Sequence, residues 1–431
     1  MKQEIINYLK GKKILILGFG REGKSALDFI RANLPEAEVV VADQNPLELE
    51  NITVISGPSY LDACANCDII IKSPGVVIKD FIPEEQKQKI TSITDLFLRF
   101  CPNPIVGITG TKGKSTTSSL TDFVLRECGR HSILAGNIGK PCFDIIDEIR
   151  VDTTIVLELS CHQLEFISAS PHIAILLNLY EEHLDHYLSA ADYYSAKKNI
   201  FKHQKADDYL IYGDVWQHTS PEEIEHAPAG TKIDLSSEAP IKLNEIHTQL
   251  LGEHFAKDIL AVYYACTALG LEKDEILQAI AKFHGLPHRL EYIGRHKNID
   301  FYNDSIATAQ EAVISAIKAV KNVDTIILGG MDRGLDYHPL VEFLRSSSVR
   351  NVLLLPNTAE SFERIFNEAP YSQKLIYCEN LEAAVLTAYH VTAEGYSCLL
   401  SPAAASYGFY KNFEERGKHF CELVQKYSAE S

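Results

Sequence analysis

No apolar run in the 431-residue sequence approaches the roughly eighteen residues that a membrane-spanning helix requires. Its start, Met1-Lys2-Gln3-Glu4, does not read as a signal peptide, so a cytoplasmic protein is expected. Positive charge is in short supply: 41 Lys and Arg stand against 58 Asp and Glu, a formal net charge of −17. A nucleic-acid partner needs a basic face and is not expected. An anionic small molecule would then be held by a few local cations and helix N-termini, not by the field of the whole protein. Paired cysteine motifs are also missing. Cys64-Ala65-Asn66-Cys67 is a lone CxxC, and Cys266, Cys378 and Cys398 fall in apolar stretches. That usage reads as reduced core thiols, not as a zinc or redox centre. Neither an internal repeat nor a low-complexity tract occurs. What remains, 46% hydrophobic and 23% charged residues, describes a globular chain too long for one core, with two or three domains expected.

The most informative segment is Ile108-Thr109-Gly110-Thr111-Lys112-Gly113-Lys114-Ser115-Thr116. The apolar run Ile105 to Ile108 leads into it and a helical pattern, Ser118 to Arg126, leaves it: strand, glycine loop, helix. Glycines let backbone N–H groups curl around phosphate oxygens. Lys114 is placed to reach terminal phosphates, and the hydroxyl of Ser115 or Thr116 can hold Mg²⁺. Only Thr111 and Lys112 separate the glycines, where the usual P-loop has four residues. The shortening points away from GTPases and motor ATPases. A glycine turn that merely caps a helix is the plain alternative.

Two other regions begin in the same way. A buried strand from Lys13 runs into Gly18-Phe19-Gly20-Arg21-Glu22-Gly23, and a second strand, Ala37 to Ala42, ends at Asp43, twenty residues after Gly23. This is the dinucleotide-binding fingerprint with an acid placed for a ribose, although a tight turn binding nothing has the same outline. Ile69 to Gly75 reads as a further strand ending at the same sheet edge. Past the P-loop, runs at Thr154 to Leu159 and Ile173 to Leu179 end in Glu158-Leu159-Ser160 and in Asn178 to Asp185. Residues beyond the carboxyl ends of parallel strands line the ligand crevice, which makes Glu158 and His183 candidate metal or phosphate neighbours, or else solvated loop residues. Ala190 to Phe201 reads as a helix. Neighbouring positions on a helix point about 100° apart, so only one of Lys197 and Lys198 can face a site. Residues 213 to 240 read as short strands and loops. After Gly285-Leu286-Pro287-His288-Arg289, strands at Ile299 to Tyr302, Thr325 to Leu328, Val352 to Leu355, Lys374 to Tyr377 and Ser397 to Leu400 alternate with helices. That alternation predicts another parallel sheet. The expected organisation is α/β, with three domains in series at 1–100, 101–287 and 288–431: Rossmann-like, P-loop and Rossmann-like.

GITGTKGKST at 107–116, GNIG at 136–139, LELS at 157–160, EHLDHY at 182–187 and FHGLPHRLE at 283–291 follow one another along the chain. NDSIAT at 303–308 and SPAAASYGFYKNFEERG at 401–417 complete the set. On these motifs the chain resembles the Mur ligase family over essentially its whole length, and the last two resemble its D-glutamate-adding branch. The resemblance implies an ATP-dependent amide ligase of peptidoglycan synthesis. Such an enzyme joins glutamate to UDP-N-acetylmuramoyl-L-alanine through an acyl phosphate, with two Mg²⁺, and a monomer is expected. It implies that Gly110, Thr111, Lys112, Gly113, Lys114, Ser115, Thr116, Arg289 and Asp304 bind ATP, and that Lys114, His183 and Lys197 are catalytic. Ser115, Glu158, His183 and Lys197, the last as a carbamate, would hold metal, with Lys198 the fallback for Lys197. Gly20, Arg21, Glu22, Asp43, Ser73 and Gly75 fall where the family binds its uridine nucleotide, and Asn137, Ser160 and His183 where it touches the muramoyl group. Thr308, Arg333, Ser406 and Phe413, with Lys411 nearby, would surround the incoming glutamate.

The chain departs from the family pattern at three places. His254-Phe255-Ala256-Lys257-Asp258 replaces HNxxN, removing two asparagines that help hold the nucleotide; Asp258 can accept a hydrogen bond but not donate one. Ile306 replaces the Lys of NDSKAT, and Arg333 stands near a usual Lys. Both changes fall at an amino-acid carboxylate site, so an L-glutamate-adding variant is the alternative. A folylpolyglutamate-type ligase shares the chemistry but not NDSIAT or KNFEERG. An NAD-dependent oxidoreductase would explain residues 14–43 and leave the P-loop and the third domain unexplained.

Overall fold

Runs such as Ile14-Leu15-Ile16-Leu17 are too short for a buried helix and apolar on both faces, which suits strands covered by helices on either side. The computed structural model describes residues 1–78, 82–180, 187, 189–237, 240–241 and 255–429. Among them the strands form three sheets. The first joins β1 (Ile14–Leu17), β2 (Val39–Asp43), β3 (Thr53–Ser56), β4 (Ile69–Lys72) and β5 (Ile90–Thr91) in the order β3-β2-β1-β4-β5. The second joins β6 (Ile105–Thr109), β7 (Ser132–Gly136), β8 (Thr154–Glu158), β9 (Ile173–Asn178), β10 (Tyr209–Asp214) and β11 (Thr231–Asp234) in the order β11-β10-β9-β6-β8-β7. The third joins β12 (Glu291–His296), β13 (Ile299–Asn303), β14 (Val323–Leu328), β15 (Asn351–Leu354), β16 (Lys374–Tyr377) and β17 (Ser397–Leu400) in the order β12-β13-β17-β14-β15-β16.

The first two sheets are wholly parallel. The third is parallel except at its edge, where β12 runs antiparallel to β13. An all-parallel third sheet is therefore corrected. The turn Lys297-Asn298 has φ of 48° and 60° at its two residues, the left-handed pair that closes a two-residue hairpin. Residues 213–240 also hold more than strands and loops: a helix at Pro221–Glu225, closed by a capping box between Ser220 and Glu223.

The chain divides into two compact units, Met1–His247 with Ala256–Ala281, and Thr248–Phe255 with Lys282–Ser431. The first unit holds two sheets because they share a core. The helix Ile93–Phe100 starts at Ser92, whose side chain accepts from the N–H of Asp95, and it buries Ile93, Leu96, Phe97 and Leu98. Fully burying such side chains contributes roughly 1.5–3 kcal/mol each. Phe29 and Phe143 meet with ring centroids 4.6 Å apart in the same cluster. In the second unit, separate apolar clusters built around Phe362 and Phe366, and around Phe301 and Phe420, pack the third sheet.

Candidate functional site

In the second sheet β6 lies between β8 and β9, with β7 beyond β8, so four carboxyl-terminal strand ends stand side by side. The glycine loop leaves β6 there. Gly113 caps the helix Lys114–Glu127 at φ 88°, and a Cβ on it would lie 2.5 Å from Asp258 Oδ1, so only glycine fits. Asn178, ending β9, clamps the loop from the side: its Oδ1 accepts from Lys112 N–H at 2.9 Å and its Nδ2 donates to the Lys112 carbonyl at 3.0 Å. Thr111 Oγ1 sits 3.1 Å from the Tyr193 hydroxyl. Two lysines from different helices converge on one carbonyl. Lys114 Nζ donates to Gly110 O at 2.9 Å and to Thr111 O at 3.0 Å, and the buried Lys197 Nζ donates to Gly110 O at 2.7 Å. Lys198 turns elsewhere, to both carboxylate oxygens of Glu223.

Beside this loop, Glu158 ends β8 in register with Ile108 of β6 and is 1% exposed. Its Oε1 accepts from Asn137 Nδ2 at 2.6 Å. Its Oε2 is buried with no hydrogen-bond partner among the described residues. A buried, unpaired carboxylate oxygen is unfavourable unless a ligand completes it. The half-buried Ser115 and buried Thr116 hydroxyls stand at the start of the helix that leaves the neighbouring strand, so this sheet edge offers hard-oxygen groups that could hold Mg²⁺. Ser160 caps the short helix Cys161–Leu164 in a capping box with Gln163. His183 and His254 lie outside the described residues.

A cleft of about 330 Å³ opens at the carboxyl ends of the first sheet, where the strand order reverses between β1 and β4. Gly20, Arg21, Glu22, Asp43, Ser73, Gly75 and Asn137 all line it, with Tyr60 and Asn45. Asp43 braces the glycine loop, accepting from Phe19 N–H at 2.7 Å and from Asn45 N–H at 2.8 Å. Ser73 Oγ donates to Gly18 O at 2.6 Å. Glu22 is buried, which pushes its carboxyl above the usual range. Its Oε1 accepts from Gln163 Nε2 at 2.6 Å, and its Oε2 has no hydrogen-bond partner among the described residues. Arg21 borders the cleft, but its guanidinium donates to the carbonyls of Gly136, Asn137 and Gly139.

In the second unit three neighbouring strands, β13, β17 and β14, carry the remaining candidates at their ends. Asp304 is buried; its carboxylate accepts from Ser401 Oγ at 2.8 Å and from Leu290 N–H at 3.2 Å, and burial raises its pKa to about 6. Arg289 Nε is buried without a hydrogen-bond partner among the described residues. Thr308 is half-buried, Ser406 buried and Arg333 exposed. Phe413 opens the helix Phe413–Ala429, and its carbonyl accepts from Ser305 Oγ at 2.9 Å. Lys411 is exposed, its N–H donating to Glu415. Arg416 is 1% exposed and ties two loops to its helix, donating to Ser305 Oγ and O and to Ala404 O. Its burial lowers the guanidinium pKa to about 10.

A model of the Mur ligase middle domain matches residues 108–266. The UDP-N-acetylmuramoylalanine–D-glutamate ligase of Thermoanaerobacter sp. (strain X514) is 32% identical over 448 residues, 96% of this chain and 98% of its own. The chain belongs to the Mur ligase family. Ligases of the same name from Listeria monocytogenes serovar 1/2a, 32% identical over 96% of each chain, and Clostridium acetobutylicum, 30% identical over 98% of each, extend the likeness. Among solved Mur ligases, one MurF structure from Acinetobacter baumannii superposes with a TM-score of 0.62 at 14% identity, over 97% of this chain and 92% of that one. MurF from Thermotoga maritima, solved with ADP, gives 0.58 at 15% identity, over 98% and 96%. These structures share the three-sheet α/β fold. Membership in the Mur ligases does not by itself point to Asn178, Gln163 or Arg416. Asn178 reads as a polar strand end, Arg416 stands inside KNFEERG, and Gln163 follows Ser160 at the capping-box spacing, a signal for a helix start and not for a contact to Glu22.

Proposed function

We propose that this Mur ligase joins D-glutamate to the alanyl carboxyl group of UDP-N-acetylmuramoyl-L-alanine, with cleavage of ATP, in peptidoglycan synthesis. Residues 1–100 would bind the uridine nucleotide, 101–287 ATP and 288–431 the amino acid, in a cytoplasmic monomer. The ligases named above support the substrate pair. The observation that carries the ATP chemistry is the buried Glu158 Oε2, without a hydrogen-bond partner among the described residues, beside a glycine loop on which Lys114 and Lys197 converge.

ATP would lie with its phosphates in the N–H groups of Gly110–Gly113 at the start of the helix Lys114–Glu127. Lys114 would turn from the Gly110 and Thr111 carbonyls to the terminal phosphates. Glu158 with Ser115 or Thr116 would hold one Mg²⁺ and His183 a second, and the metal charge would neutralise the phosphates there. The alanyl carboxylate attacks the γ-phosphorus and ADP leaves. The glutamate amine then attacks the acyl phosphate, and the tetrahedral adduct expels phosphate. The protein's part is to bring these anions together and hold them in line. Lys197, already inside the loop, would serve as a carbamate, an anion with two oxygens suited to Mg²⁺. Arg333 would grip a glutamate carboxylate in two parallel hydrogen bonds, beside Thr308, Ser406 and Phe413.

The pathway leaves an isotopic mark. The expelled phosphate carries one oxygen from the substrate carboxylate, so a substrate labelled with ¹⁸O there should yield singly labelled phosphate. Unlabelled phosphate formed alongside the amide would refute the acyl-phosphate route.

A further inference from the structure

We infer that Arg21 is a positioning residue for the Glu158 carboxylate, and that it ties the glycine loop of the first sheet to the metal site of the second. The inference rests on the reading of Glu158 as a metal ligand given above. Arg21 begins the helix Arg21–Asn33, directly after the glycine loop of the nucleotide cleft. Its Nη2 donates to Gly136 O at 2.9 Å and to Asn137 O at 3.0 Å, and its Nη1 to Gly139 O at 3.1 Å. Three carbonyl oxygens turned toward one point repel one another unless a cation lies between them. The planar guanidinium, with five N–H donors in a fixed fork, can satisfy all three at once; an ammonium presents a single donor centre.

The loop that Arg21 holds is the one that holds Glu158. Asn137 N–H donates to the Glu158 carbonyl at 2.8 Å and Asn137 Nδ2 to Glu158 Oε1 at 2.6 Å. Gly136, at φ 102°, packs so closely that a Cβ on it would lie 2.4 Å from the Glu158 carbonyl oxygen. The loop cannot drift without carrying the Glu158 backbone and one of its carboxylate oxygens along. The other oxygen, Oε2, without a hydrogen-bond partner among the described residues, is then aimed by a chain of contacts that ends in Arg21. Arg21 is not needed to keep the two sheets together. Glu22 with Gln163, Ser25 with Asp144, Lys72 with Glu165 and Asp95 with Ser168 all cross the same boundary. What Arg21 adds is the orientation of one loop.

Mn²⁺ binding to the ADP complex of the full chain, followed by electron paramagnetic resonance, tests this without relying on turnover. Groups that orient metal ligands typically contribute 10–100-fold to metal affinity, so Arg21→Met should weaken Mn²⁺ binding about tenfold. Arg21→Lys should recover part of that loss. Ser25→Ala, which removes another tie across the boundary, should lower Tm yet leave Mn²⁺ affinity unchanged. Arg21→Met with wild-type Mn²⁺ affinity would overturn the inference. A weakened affinity for the uridine substrate alone would make Arg21 a substrate ligand, and a lowered Tm alone would make it interface packing; either also overturns it. Should Arg21→Met not fold, Arg21→Lys decides by the same criterion. Absence of Mn²⁺ binding by the wild-type ADP complex would overturn the metal-site reading, and this inference with it.

Discussion

Replacing Glu158 by Gln should move stability and activity in opposite directions. The variant keeps the side chain's shape, and its amide oxygen can still accept from Asn137 Nδ2. It removes the charge from a residue 1% exposed and puts an NH₂ where Oε2 has no partner among the described residues. A buried polar group without a partner costs about 1–3 kcal/mol, more when charged. Relief of even half of that should raise the Tm of the ligand-free protein by a few degrees, at about 2–4 °C per kcal/mol for a large domain. With Mg²⁺ and ADP the order should reverse. Ligand at a hundredfold excess over Kd stabilises by about 2.7 kcal/mol, and a tenfold loss of affinity removes about 1.4 kcal/mol of it. Loss of one metal-ligating oxygen, at several kcal/mol of transition-state stabilisation, should slow kcat by about 10²–10³-fold. Differential scanning fluorimetry with and without Mg²⁺–ADP, beside a phosphate-release assay, measures all three. A lower Tm in the ligand-free variant, or more than about a tenth of wild-type kcat, would refute the reasoning about Oε2.

Lys114→Ala should leave the fold intact and reduce the rate about 10³-fold, since charge-stabilising groups in phosphoryl transfer have that order of effect; a rate assay on the folded variant checks it. Arg333→Ala should raise the glutamate KM roughly ten- to a hundred-fold with little change in the ATP KM, because a charge-assisted hydrogen bond is worth about 1.5–3 kcal/mol. Asp304 carries a pH signature: its folded pKa of about 6 lies above the ordinary aspartate value. The folded state therefore holds that proton more tightly, and this contribution to stability is complete below about pH 4 and is lost as pH rises through 6. Relative to Asp304→Asn, the wild type should lose up to about 3 kcal/mol between pH 4 and 7.5, read from urea midpoints at both values.

The parts of this molecule legible in the sequence are those with local causes. Each glycine loop follows a strand and precedes a helix, and steric demands at Gly113 and Gly18 leave glycine as the residue that fits. Strand neighbours are another matter. That β17 lies between β13 and β14, so that Asn303, Ser401 and Gly329 share one edge, follows from packing and not from any run of residues. Helix geometry says that only one of Lys197 and Lys198 faces the P-loop, but the choice needs the Gly110 carbonyl and Glu223 in place. By resemblance Arg21 falls where the family binds its uridine nucleotide, and it does line the cleft. Its hydrogen bonds go to carbonyls more than a hundred residues away, which no local pattern encodes. Arg416 has no role assigned within its motif, and its burial among Ser305, Ala404 and Gly330 is set by packing from distant segments.

Ile306 stands where the family has Lys and Arg333 near another family Lys, at the proposed carboxylate site, so one cation is lost and one exchanged where the amino acid would be chosen. The direct measurement is phosphate release from ATP with UDP-N-acetylmuramoyl-L-alanine present, in parallel reactions containing D-glutamate, L-glutamate or no amino acid, with the amide product followed by mass spectrometry. The account predicts fast release and product with D-glutamate and near-background release in the other two. Faster product formation with L-glutamate would contradict the D-specific assignment, and absence of product with both would contradict the ligase.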